Sequence, residues 1–172
     1  NYGYKAVIFM MLLSGVISII AISILLSTMV QYVNRVERAD SSVKICRMDV
    51  NSAAREIREM ALNSDTSTYD SYEQNVKDQL AEVDSELKAL KQTGIVTDDL
   101  YEEYTTALSE WGSIGYSIIE QIKNGDLVGA TDAILNQCTP ALNNVVSIGE
   151  KLDEVTDQAR TRAIRSTLVL AI

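Results

Sequence analysis

Apolar residues occur in this chain in two ways, first as one unbroken run and then at regular intervals. The run is Ala6 to Val30, which holds no charged residue. At a rise of about 1.5 Å per residue it is long enough to cross a hydrocarbon core of about 30 Å with some tilt. It predicts a membrane-spanning helix. A second apolar run opens at Thr167 and has reached Ile172 where the sequence stops, so two membrane segments are expected to bracket what lies between. The expected organisation is a first transmembrane helix over 6–30, an extracytoplasmic domain over 31–166 and the start of a second transmembrane helix over 167–172.

Beyond Val30 the spacing changes. Positions 32, 36, 39, 43, 46, 50, 53, 57 and 60 are Tyr, Val, Ala, Val, Cys, Val, Ala, Ile and Met, an alternation of four and three that marks a coiled-coil seam. The first helix is therefore expected to leave the membrane unbroken and to stop near Asn63, where a string of turn residues runs to Thr68. Ser67, with Asp70 three residues on, is expected to cap a second helix with its seam at Val76, Leu80, Val83, Leu87 and Leu90.

Thr93-Gly94 ends that helix. Thr97 followed by Asp98 and Asp99 places a cap and two acids at the positive end of the third helix, whose seam is Leu100, Tyr104, Ala107, Trp111, Ile114 and Ile118. Asn124-Gly125-Asp126 reads as a stop and a restart. The fourth seam is Leu127, Thr131, Ile134, Cys138, Ala141, Val145, Ile148, Leu152, Val155 and Ala159. Pro140 sits within it and should bend the helix or loosen one turn, at about 3 kcal/mol if nothing compensates. Four such seams, with no strand-like alternation, predict an all-α, antiparallel up-down-up-down four-helix bundle continuous with a membrane helix at each end.

Charge narrows the function. All 24 acidic residues and 14 of the 15 basic ones lie between the apolar runs, and the chain carries −9. Such a domain, without a basic patch or interleaved aromatics, is no partner for nucleic acid, and as a whole it should be repelled by anionic headgroups. An asparagine at position 1 and the short final run are expected of a piece of a longer chain. A retained anchor is favoured over a signal peptide, because 25 apolar residues exceed a signal core and no small-residue cleavage site follows Val30. Only Lys5 marks the starting side as cytoplasmic, while Arg160, Arg162 and Arg165 crowd the other side, against the positive-inside tendency.

There is no histidine, which removes the usual general acid or base and the iron-binding motifs of helical bundles. No glycine-rich phosphate loop appears either. No catalytic residue, metal or cofactor is expected. Counted along the helices, Cys46 stands about 24 Å above the membrane and Cys138 about 43 Å. An intrachain disulfide is thus not expected, and both thiols are read as small core residues. Tyr104 and Trp111, at seam spacing, are read as core rather than as an aromatic ligand box.

The polar feature that stands out is a stripe of Arg47, Asn51, Arg55 and Arg58 on the first helix, expected to face away from its seam. One reading is a solvated face whose arginines are answered by Glu56 and Glu59. The other is a binding surface, because by height Arg55 is level with Leu142 and Asn143, and Arg58 with Thr139.

At this point the chain resembles the four-helix-bundle sensor module of bacterial methyl-accepting chemotaxis proteins. The resemblance rests on the stretch Asn51-Ser52-Ala53-Ala54-Arg55-Glu56-Ile57-Arg58-Glu59-Met60-Ala61-Leu62, on Asn124-Gly125-Asp126 with Ala130, and on Pro140. It implies an outward-facing homodimer in the cell membrane that binds a small, anionic solute such as an organic acid or amino acid. A displacement of helix four would pass through the second membrane helix to a HAMP linker, and so to a cytoplasmic chemotaxis kinase and its adaptor. It also implies a ligand site across the dimer interface from arginines of helix one and polar groups of helix four, which by position are Arg55, Arg58, Thr139 and Asn143, with Asn51 beside them. The same module on a histidine kinase or nucleotide cyclase, and a bundle that dimerises without a ligand, are the alternatives.

Overall fold

A computed structural model of the chain describes residues Tyr2–Leu170; the tail of the second apolar run, Ala171 and Ile172, lies outside the described residues. The chain is all-helical. Helix α1 spans Tyr2–Leu62, α2 Tyr69–Thr93, α3 Asp98–Lys123, α4 Leu127–Ala133 and α5 Thr139–Leu170. A five-residue π-helical turn, Ile134–Cys138, joins α4 to α5 without a break, so these three make a single fourth rod. There are no strands among the described residues.

Helix α1 is one rod of 61 residues, about 90 Å long. Its first half presents apolar side chains outward all round: from Val7 to Thr28 every residue is exposed. It is the one helix among the described residues long and apolar enough to cross a membrane, with a mean hydropathy of 2.7 over its most apolar window. Four hydroxyls in this stretch, those of Ser14, Ser18, Ser23 and Thr28, each donate at 2.9 Å to a carbonyl three or four residues back. Such a bond satisfies the hydroxyl hydrogen of a serine or threonine on an apolar helix surface.

From Val36 onward α1 turns one face into a core. Val36, Ala39, Val43, Cys46, Val50, Ala53, Ile57 and Met60 are all buried, as their spacing requires, and Tyr32 is half-buried. Helices α2 and α3 answer with Val76, Val83, Leu87 and Leu90, and with Tyr104, Ala107, Leu108, Trp111, Ile118, Ile119 and Ile122. Trp111 is fully enclosed, and truncating such a side chain costs about 3–5 kcal/mol. Helix α3 presses on α1 at Gly115, where a Cβ would stand 3.0 Å from Ile57 Cδ1.

Helix ends follow their local chemistry. Thr97 caps α3, its hydroxyl accepting from the Leu100 amide, and Asp126 caps α4 through the Gly129 amide. Gly94 and Gly125 take the left-handed conformation after α2 and α3 (φ 64° and 83°), which residues with a Cβ adopt only at a cost. The start of α2 differs from expectation. Asp65, not Ser67, supplies the cap: its carboxylate accepts from the amide and hydroxyl of Ser67 and opens a short 3-10 turn, Thr66–Thr68, ahead of α2.

The fourth seam is corrected over its first two turns. Leu127 and Thr131 are exposed, and Ala130 and Ala133 are buried in their place, whereas Ile134, Cys138, Val145, Ile148, Leu152 and Ala159 lie inside as expected. The cause is the π turn. It holds one residue more than an α-helical turn, so everything before it is displaced by one position around the axis. The turn also relieves Pro140: the Thr139 amide reaches back five residues to Ile134 O, a register that removes the demand for a hydrogen bond at the proline.

Candidate functional site

The arginine stripe of α1 is divided by its surroundings. Arg47 is half-buried and ion-paired with Asp153 of α5. Its stem lies over Gly149, where a Cβ would stand 3.4 Å from Arg47 Cγ and 3.6 Å from Tyr104 Cε2. Arg47 therefore fastens α1 to the fourth rod and does not face away from the core. Sequence alone missed Asp153, which sits one residue past the seam residue Leu152; the charge complement of Arg47 was its only signal.

Asn51 is exposed, and its amide donates to Arg47 O at 2.8 Å. Arg55 is exposed, with Glu59 Oε1 3.7 Å from its Nε; an open i,i+4 pair of this kind contributes about 0.3–0.5 kcal/mol. Arg58 is half-buried and close enough to Cys138 for its charge to favour the thiolate. Arg58 thus lies in the neighbourhood of the π turn.

Thr139 is half-buried and gives its hydroxyl to Ile134 O at 2.8 Å, while Asn143 is exposed. Arg58 and Thr139 are thus half-buried, while Asn51, Arg55 and Asn143 stand on open surface. A small anion there would find the Arg55 guanidinium, whose five donors suit a carboxylate.

Burial makes both cysteines inert, and both are free. The Cys46 thiol is pushed up to about 12, by burial first and by Glu86 and Asp49 after it. The Cys138 thiol is raised by burial against the opposing pull of Trp111 and Arg58. The Trp111 indole N–H is buried without an acceptor, near enough to this sulfur to favour the thiolate. Among the described residues no cluster of His, Cys, Asp or Glu is placed to hold a metal.

Two of the hollows in the molecule lie away from these residues. One, of about 490 Å³, separates α2 from α3 between Leu80, Leu87, Leu108, Gly112 and Tyr116. The other, of about 400 Å³, sits under the turns that join α1 to α2 and α3 to α4, beside Tyr69, Ile122 and Lys123. Lys123 is held by Asp70 at 3.0 Å and Glu73 at 2.6 Å, and both hydrogen bonds raise its affinity for the proton. Its charge is already answered, so this hollow offers an anion no free cation.

Long amphipathic helices packed around one seam, with polar groups along the outside, define a helical bundle. In agreement, the family model for the four-helix-bundle sensory module for signal transduction matches residues 2–166, and the chain belongs to that family. Neither a curated protein nor a solved structure matches it.

Proposed function

We propose that this chain is the input module of a transmembrane chemoreceptor. The bundle stands outside the cytoplasm of the cell, binds a small anionic solute such as an organic acid or amino acid, and passes a displacement of the fourth rod across the membrane to a cytoplasmic domain that controls chemotaxis. The observation that carries this reading is that α1 joins an apolar surface of membrane-spanning length to an arginine-bearing face in one unbroken helix, within a signal-transducing family.

The contacts between helices support an up-down-up-down path. Arg38 meets Glu86 and Glu56 meets Asn75 between α1 and α2; Lys123 meets Asp70 between α2 and α3; Lys151 meets Glu103 between α3 and α5. Between α1 and α2 the numbers rise on one side as they fall on the other. Exposure of Asn51, Arg55 and Asn143 supports a homodimer around α1, because an open polar face binds an anion strongly only when a second surface excludes water from it.

A thermal-shift screen of the segment 31–166 and of the full chain in nanodiscs, against organic acids and amino acids, is the test. A ligand selective for the fold raises the melting temperature. If no acid does so, and ultracentrifugation finds only monomer in both forms, the receptor reading fails.

A further inference from the structure

The charge of this chain is acidic overall but segregated. In 31–38 and 158–166, the two stretches next to the apolar runs, stand Arg35, Arg38, Arg160, Arg162 and Arg165, with Glu37 as the one acid. The intervening residues 39–157 hold nine basic and 23 acidic residues. Five of the eight arginines therefore gather at one end of the bundle, at a net charge of +4, beneath a body of −14.

The fold brings the two stretches to one level. The Arg47–Asp153 bridge fixes α1 against α5. Twelve residues from it along α1 is Arg35, and twelve residues from it along α5 is Arg165; nine residues away on each side are Arg38 and Arg162. Both helices rise about 1.5 Å per residue, so the arginines fall in two tiers about 18 and 13.5 Å from the bridge. All five are exposed. Arg38 is held by Glu86 at 3.0 Å and Arg162 donates to Gln158 at 3.5 Å; no carboxylate lies within ion-pair distance of Arg35, Arg160, Arg162 or Arg165 among the described residues.

Height supplies the partner. Arg35 is five residues past Val30, about 7.5 Å above the edge of the apolar run, and the headgroup layer on each face of a bilayer is about 5–7.5 Å thick. We infer that these arginines form a collar that binds the phosphates of anionic phospholipids at the surface of the membrane holding the chain. This rests on the membrane reading above. Net acidity would repel such lipids from the bundle as a whole; its distribution reverses the sign at the base. The same charges oppose the acidic body being drawn down onto the membrane, so the collar fixes the depth at which α1 and α5 leave it. Guanidinium suits this task because its planar fork takes two phosphate oxygens at once.

The test uses the full chain in vesicles of phosphatidylcholine mixed with phosphatidylglycerol, with spin-labelled versions of each lipid reporting preference for the protein surface. The wild type should favour phosphatidylglycerol by at least about fivefold, the factor that one arginine near an anionic surface supplies, and the preference should shrink as salt rises. The triple variant Arg35→Gln, Arg162→Gln, Arg165→Gln should bring it close to one. The matching Lys variant, which keeps the charge, should retain most of it, so loss of structure is told apart from loss of charge. No preference in the wild type, or a preference that the Gln variant keeps, overturns the collar. Loss of preference in inorganic phosphate but not in chloride of equal ionic strength would assign the arginines to free phosphate and overturn the lipid assignment. Release of the chain by alkaline carbonate would overturn the membrane reading itself, whereas retention without preference overturns the collar alone.

Discussion

Replacing Gly115 and Gly112 by alanine, one at a time, measures how tightly α3 is pressed against α1. Both glycines lie inside α3, where exchange for alanine favours the helix by about 1 kcal/mol. At Gly112 a Cβ meets nothing within 4 Å, so that gain should appear in full. At Gly115 the new carbon would stand 3.0 Å from Ile57 Cδ1, inside the optimal carbon–carbon separation of about 3.5–4.0 Å. Ile57 is itself enclosed and has little room to yield. Overpacking of this kind costs about 1–3 kcal/mol, so Gly115→Ala should range from neutral to about 2 kcal/mol destabilising. The gap between the two variants is then about 1–3 kcal/mol. Deleting the offending methyl closes the argument: Ile57→Val should cost about 0.5–1.5 kcal/mol alone and clearly less when combined with Gly115→Ala. Denaturant unfolding followed by circular dichroism reads each of these proteins. Equal stabilisation by the two alanines, or a double-mutant cycle without coupling, would show that α1 and α3 are not in contact at this point.

Arg55→Ala should weaken an anionic ligand by about 2–4 kcal/mol while changing stability by about 0–1 kcal/mol; calorimetry with a ligand from the screen decides, and unchanged affinity removes Arg55 from the site. With burial raising both thiols, Cys46 and Cys138 should resist iodoacetamide at pH 8 until the bundle unfolds, and reductant should leave the melting temperature unmoved; rapid labelling of the native chain would contradict the burial. Asp49 is raised above the usual carboxylate range, by burial first and then by Glu82 and Glu86. A raised carboxyl destabilises the fold once ionised, so Asp49→Asn should raise the melting temperature at pH 7. The advantage should fade as the pH falls below the ordinary aspartate range, and an advantage independent of pH would refute this cause.

Most of the bundle could be read from spacing because α1, α2 and α3 keep uniform α-helical periodicity. Ala39, Val43, Cys46 and Val50 are buried for the reason their intervals suggest. The pattern was too narrow on α3, where Leu108, Ile119 and Ile122 also enter the core; a helix in a globular bundle buries a wider stripe than a strict seam. At the head of the fourth rod the reading slipped by one residue, since a repeat assumed uniform cannot register the extra residue of a π turn. Pro140 announced a loosened turn but not its phase. The candidate site was legible as a row of arginines on one helix. Its division was not, because whether Arg47 is pinned or free depends on Asp153, 106 positions away in sequence.

Helix α1 and the fourth rod are unlike as mechanical parts. Between Val16 and Leu62, α1 has neither glycine nor proline, so it has no joint. A sideways push near Arg55 must reach the other end of the rod as a tilt or rotation of the same angle. The fourth rod carries a compliant element near Arg58, the π turn with Pro140 behind it, and has Gly129 and Gly149 besides. Load applied at that corner is therefore shared between a stiff beam and a hinged one, and the hinged one takes most of the strain.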